Sequence, residues 1–150
     1  MKPLFIFDLD GTLANIEHRL HHITGDKNDW GAFFDACKDD QPFPGTIKML
    51  RLLRNSGAEI QIWTGRNESA RPATERWLAH YVWHHDSPLR LLMRGERDRR
   101  PDYALKQEWL DRMTDDDVLR IVAVFEDRTQ VVKMYRAAGV RCLQVADGDF

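Results

Sequence analysis

The chain has 150 residues, 43% of them hydrophobic and 31% charged, and a formal net charge of −2. That balance suits one folded domain and excludes a helical membrane-spanning protein, because no apolar run approaches the ~20 residues of a span. A charge near zero gives no global pull toward nucleic acid, so any polyanion binding has to come from a local patch.

The first residues run straight into an apolar strand, so no secretory leader is expected. Cys37 and Cys142 are not spaced for metal or redox work, which predicts a cytoplasmic protein with two reduced thiols. Leu4-Phe5-Ile6-Phe7 reads as a strand buried on both faces. It ends abruptly in Asp8-Leu9-Asp10-Gly11-Thr12. Side chains alternate along a strand, so Asp8 and Asp10 share a face with Leu9 turned away. Gly11 permits a sharp turn or a close approach to a ligand. An Asx-type turn explains Asp10-Gly11 but not a second acid at the buried end of the strand.

Residues 14–44 form an insertion containing His18-Arg19-Leu20-His21-His22. Within it Asp29 is placed to N-cap a short helix carrying Trp30, Phe33, Phe34 and Cys37, which Pro42 and Pro44 end. We read this as a small cap beside the site, because three large aromatics need something to pack on. A helix over 46–56 follows, with Ile47 and Leu50 inward and Gly57 at its C-terminal turn. A second strand over 59–63 ends in Thr64-Gly65-Arg66, and a helix over 69–81 carries Ala73, Trp77, Leu78 and Tyr81. A third strand, 89–93, precedes an arginine-rich loop, 94–101. A helix opening at Pro101 or Asp102 turns Leu105, Trp109 and Met113 inward. A fourth strand, 121–125, ends in Glu126-Asp127-Arg128. A helix over 129–138 is closed by Gly139, and 141–145 is a fifth strand. Strand and helix alternate throughout, which predicts an α/β fold: a parallel sheet with right-handed crossovers and helices on both faces. One domain spanning 1–150 is expected.

Three strand ends carry polar chemistry: Asp8/Asp10, Thr64/Arg66 and Glu126/Asp127/Arg128. In an open α/β sheet ligands bind at the carboxyl ends of strands. The Asp-Leu-Asp-Gly-Thr motif after an apolar strand resembles the first motif of the haloacid dehalogenase-like (HAD) phosphohydrolases, and the other two strand ends match further motifs of that family in order. The resemblance implies a HAD-like three-layer Rossmannoid fold of about five parallel strands, with the Asp8 strand central. It implies Asp8 as nucleophile and Asp10 as general acid/base. Relatives that attack carbon lack the second acid, so Asp10 points to phosphoryl transfer. An anionic nucleophile meeting an anionic phosphate needs positive charge, and among carboxylates Mg²⁺ supplies it. By resemblance Asp8 and Asp127 ligate Mg²⁺ by side chain and Asp10 by its backbone carbonyl, while Glu126 holds metal waters or orients its neighbours. Thr64, with Gly65 and the following amides, is expected to bind the phosphate, and Lys106 resembles the basic residue of the third motif. Asp102, one helical turn before Lys106, is placed to pair with it.

The resemblance narrows further. The stretch from Glu126 to Arg136, with Gly139 to Cys142 and Gln144 to Phe150, is similar to the phosphatase half of the polynucleotide kinase-phosphatases of phages. That half also carries an arginine eleven residues after the nucleophile, where Arg19 stands here, and one in its second motif, where Arg66 stands. Two departures are Glu126-Asp127 in place of Asp-Asp and a longer cap. The resemblance implies a substrate of nucleotide or nucleic-acid 3′-phosphate ends, held by Arg19, Arg66, Asp102 and Lys106. No Gly-x-x-x-x-Gly-Lys-Ser/Thr loop occurs, so no P-loop kinase half is expected, and a kinase or ligase partner would be a separate protein. Two other functions stay open: a nucleotidase acting on nucleoside monophosphates, and a phosphate-binding module without turnover, against which both aspartates speak. Arg90, Arg94, Arg97, Arg99 and Arg100 read as a phosphate-tracking patch or as a solvated loop. His18, His21 and His22 read as a metal-binding i,i+4 pair if helical, or as polar cap residues. His84-His85-Asp86 reads as a loop. Trp63, Trp77 and Trp109 fit core spacing, so base stacking is sought at Trp30 or Phe33.

Overall fold

In a computed structural model, residues 1–84, 87 and 89–148 are described. His85 and Asp86 of the expected loop, and Asp149 and Phe150 at the end of the C-terminal stretch, lie outside them.

The first strand, β1 (Leu4–Phe7), is followed by a two-residue strand, β2 (Ala14–Asn15), a 3₁₀ helix over Glu17–His22, α1 (Trp30–Asp35), and β3 (Gln41–Pro42), antiparallel to β2. Then come α2 (Pro44–Asn55), β4 (Glu59–Asn67), α3 (Arg71–Tyr81) and β5 (Arg90–Arg94). The chain closes with α4 (Asp102–Asp111), α5 (Asp115–Leu119), β6 (Ile121–Arg128), α6 (Thr129–Ala137) and β7 (Cys142–Gly148). The main sheet runs β5-β4-β1-β6-β7, and every pairing in it is parallel. β1 is central, as expected.

The period of two along β1 builds the layers. Phe7 faces Ile47 and Leu50 of α2 and Trp77 and Leu78 of α3. Leu4 and Ile6 face the other way, into a cluster with Leu110 of α4 and Val131, Val132 and Tyr135 of α6. Phe7 also stacks on Phe125 of β6, with ring centroids 4.3 Å apart and planes 5° from parallel. The chain winds from β1 out to β4 and β5, then returns across to β6 and β7. The carboxyl ends of β1 and β6 therefore flank the point where the winding reverses, which is where such sheets bind ligands.

Several boundaries differ from the sequence reading. Pro44 does not end the cap but opens α2 at its first position, where its missing N–H costs nothing. Pro42 sits in β3 beside Ala14. β4 and β6 run through the polar residues that the apolar pattern left outside, to Asn67 and Arg128. A 3₁₀ turn, Glu68–Ala70, precedes α3. The short α5 carries no apolar stripe to reveal it and is fixed by its cap, the Thr114 hydroxyl accepting from the Asp117 amide at 3.2 Å. Gly57 and Gly139, with φ of +94° and +79°, follow α2 and α6 as left-handed stops. Among the described residues no helix is long and apolar enough to cross a membrane.

Candidate active site

A cavity of about 530 Å³ opens over the carboxyl ends of β1, β4 and β6, and Asp8, Asp10, Gly65, Arg66, Asp102, Glu126 and Asp127 all line it. The three polar strand ends thus meet, although they are up to 119 positions apart in the chain.

At its centre is an acidic cluster. Asp8, Glu126 and Asp127 are all buried, and each offers a carboxylate oxygen within 4.8 Å of the others. Lys106, carried in by α4, is their one ammonium: its Nζ donates to Asp8 Oδ1 and to Glu126 Oε2, each at 2.7 Å. The other Glu126 oxygen accepts from the backbone amides of Asp127 and Arg128, at 3.2 and 3.1 Å. Glu126 is therefore committed to orienting its surroundings. Thr12 donates to Asp8 Oδ2 at 3.3 Å. Burial and the negative charge of Glu126 push the Asp8 carboxyl well above its usual range and Asp127 up to about 7. Burial alone would lower the Lys106 ammonium, but Asp8 and Glu126 raise it further than burial depresses it, so it stays charged. Three acids against one base leave negative charge unmatched. A hard divalent cation that takes oxygen donors fits this set. Gly11 makes room for the Asp127 carboxylate: at φ +84° it passes so close that a Cβ would run into it.

Beside this cluster Asp10 is held by two guanidiniums. Arg19 Nη2 and Arg66 Nε donate to its Oδ1 at 2.9 and 2.8 Å. Burial works against ionisation of Asp10, but the charges of Arg66 and Arg19 outweigh it and hold its carboxyl below the usual range. Both arginines are buried and continue to Asp40, itself 1% exposed. Asp40 accepts from Arg19 Nε and Nη2 at 2.7 and 2.8 Å and from Arg66 Nη2 at 2.6 Å. His18 Nε2 lies 2.7 Å from Asp40 Oδ1, and Trp77 donates to the Asp40 carbonyl at 2.8 Å. Asp40 is the residue that sequence reasoning missed. It follows Asp39 at the end of a short helical stretch and looks like one more solvated acid. Its partners lie 21 and 26 positions away.

Other expected residues take different posts. Asp102 does not pair with Lys106: it accepts from Arg128 Nη1 at 3.0 Å and also binds Arg94, while Lys106 turns to the strand-end acids. Two residues one helical turn apart are free to pair, but the buried acids have a stronger need of the ammonium than Asp102, which has two arginines. Thr64 is fully buried, its hydroxyl accepting from the Arg66 amide at 3.2 Å, and it lies outside the cavity lining. Gly65 is required where it is, because a Cβ would meet the Asp102 carboxylate. The arginine stretch divides. Arg94 is 9% exposed and donates to the Gly65 carbonyl at 2.9 Å, Arg99 and Arg100 line the cavity, and Arg90 sits at the opposite end of β5 beside Gln61 and Trp63. His18 and His22 form no metal pair. Their stretch is a 3₁₀ helix, in which residues four apart do not share a face, and His18 is engaged by Asp40.

A HAD-type family model described as the polynucleotide kinase PNKP phosphatase domain matches residues 2–150. Two solved structures of the Pnkp1/Rnl/Hen1 complex, one of them described as an RNA repair complex, are similar to this chain at 28% and 30% identity with TM-scores of 0.79 and 0.77. The match covers 99% of this chain and 44% and 48% of theirs, so the chain spans less than half of those proteins. A class C acid phosphatase from Bacillus anthracis with tungstate bound shares the fold, with a TM-score of 0.69 at 18% identity over 99% of this chain and 68% of that one.

Proposed function

The chain belongs to the polynucleotide kinase PNKP phosphatase-domain family, and from that premise we propose that it removes terminal 3′-phosphates from nucleic-acid ends or nucleotides by a Mg²⁺-dependent reaction through an aspartyl-phosphate. The observation that carries this reading is the meeting of Asp8, Glu126 and Asp127 around a single lysine, with Asp10 alongside on two arginines.

In the proposed reaction Asp8 attacks phosphorus and displaces the leaving oxygen, which takes a proton from Asp10. Water then attacks the aspartyl-phosphate while Asp10 accepts its proton. The Arg19–Arg66 pair keeps Asp10 ionised in the free enzyme, as the second half-reaction needs. An arriving phosphate competes for those guanidiniums and its charge raises the proton affinity of Asp10, as the first half-reaction needs. Side chains of Asp8 and Asp127 and the backbone carbonyl of Asp10 would hold Mg²⁺, with Glu126 and Lys106 fixing Asp8 from behind. The bound ion would offset the charge of nucleophile and phosphate where they meet. Of this pair only Arg66 lines the cavity, and it is assigned to the scissile phosphate; Arg19, fully buried, holds Asp10 and Asp40 beside it.

Residues 14–44 act as a cap over this one domain. A separate kinase or ligase partner is part of the same reading, supported by the Pnkp1/Rnl/Hen1 complexes in which similar chains occur, and a cytoplasmic setting belongs to the proposal as well. The test is a substrate panel. Oligonucleotides bearing a 3′-phosphate should be hydrolysed faster than those bearing a 5′-phosphate, and chelator should stop turnover. Asp8→Asn should be folded and inactive on every substrate. Faster hydrolysis of 5′-mononucleotides, with no effect of strand length, would replace this assignment with the nucleotidase.

A further inference from the structure

The cap side of the cavity carries aromatic surface that the phosphoryl chemistry does not use. Trp30 opens α1 and lines the cavity with half of its surface exposed. It is held firmly all the same. Phe33 meets it edge-on at 5.6 Å and Phe34 lies 6.0 Å away. Phe33 is buried, and the Arg19 guanidinium sits 4.2 Å from its ring centroid. Asp29 caps the helix, accepting from the Ala32 amide at 2.9 Å. The indole is thus a flat, half-open face at the rim of the site, supported by Phe33 and Phe34, and Phe33 in turn lies against the arginine that holds Asp10. Arg99 lines the same cavity. Its neighbour Arg100 is tied to Asp98 and Glu108, whereas Arg99 donates to the Glu96 carbonyl at 3.1 Å and makes no ion pair among the described residues.

Resting on the 3′-phosphatase reading above, we propose that this wall is a subsite for an unpaired nucleobase, that of the nucleotide carrying the scissile phosphate, stacked on Trp30, with Arg99 taking the next phosphodiester of the strand. Every base has a π-face, so such a platform accepts all four bases. An alkyl ester would have no use for a flat aromatic surface, and a cation that lines the same cavity as an aromatic wall matches the alternation of phosphate and base along a single strand. The cavity, about 530 Å³, is of the size that holds small ligands. A base lying between cap and loop cannot remain paired, so an end must be single-stranded or frayed to enter.

The experiment compares a single-stranded trinucleotide 3′-phosphate with the same strand lacking its terminal base. In the wild type, removing the base should raise KM roughly 5- to 150-fold, the range given by base–aromatic stacking, with kcat changing much less. Trp30→Ala should raise KM for the intact strand by a similar factor, and the base should then cease to matter. Trp30→Phe should keep most of the base effect. Arg99→Gln should reduce the salt dependence of KM on the trinucleotide by about 0.7 in log–log slope. If strands are hydrolysed with no effect of the base, or if the base effect survives Trp30→Ala, the subsite is refuted while the 3′-phosphatase reading stands. If strands with a 3′-phosphate are not hydrolysed at all although other monoesters are, that reading falls and the subsite falls with it. The wild-type comparison needs no variant to fold.

Discussion

Without metal, the acidic cluster should make the protein less stable as pH rises, the reverse of what a surface carboxylate does. Asp127 is 3% exposed, and its carboxyl titrates at about 7 in the folded chain against 3.8 for the free group. A folded-state pKa above the unfolded one means that the native state binds more protons through that window, so stability falls as pH climbs from about 4 to about 7. Each pH unit is worth about 1.4 kcal/mol. From pH 5 to 7 Asp127 alone should therefore remove roughly 2 kcal/mol, and its neighbour Asp8, raised by the same causes, adds to the slope. On a chain of this size that is a fall in Tm of roughly 4–8 °C. The assay is urea or thermal unfolding in chelator at pH 5, 6, 7 and 8, for the wild type and Asp127→Asn side by side. Subtracting the two curves cancels the histidines and the exposed acids. The wild type should lose stability relative to the variant up to pH 7 and level off above it. Excess Mg²⁺ should reverse the trend in the wild type, because the ion binds ionised carboxylates and only the folded chain assembles them. Parallel wild-type and variant curves in chelator would refute the reasoning, since Asp127 would then ionise as easily in the fold as in water.

Arg19→Ala leaves Asp10 with Arg66 alone and Asp40 with Arg66 and His18 in a buried setting, and should cost about 3–5 kcal/mol in denaturant unfolding; a loss under 1 kcal/mol would mean the network is not formed in solution. Gly11→Ala should abolish phosphatase activity and weaken Mg²⁺ binding by calorimetry, because the new Cβ meets the Asp127 carboxylate at a backbone φ of +84°; normal turnover would show that the loop can move aside. Tyr135→Phe should be neutral or up to about 1 kcal/mol stabilising, since the Tyr135 hydroxyl is buried without a hydrogen-bond partner among the described residues. A clear destabilisation there would reveal a partner, such as a buried water.

The sequence by itself determined the frame. Short continuous apolar runs, separated by glycines and by helices with one apolar stripe, identify five strands and their order of alternation, and that alternation dictates a parallel sheet. Asp8 and Asp127 are legible for the same reason: an acid at the end of a fully apolar strand has to stand at the rim where parallel strands deliver their ligands. Lys106 is legible only through family resemblance, and its true partners are not, because Asp102 is nearer in sequence but Asp8 and Glu126, 98 and 20 positions away, have the greater need of its charge. Asp40 could not be read at all. Its role exists only because the cap folds back over α3 and closes Arg19 and Arg66 around it. Local pattern fixes which residues face inward, since periodicity is a property of neighbours along the chain. Which buried charges satisfy one another is decided by distances that come into being only when strands and cap assemble, and there the tertiary structure alone chose.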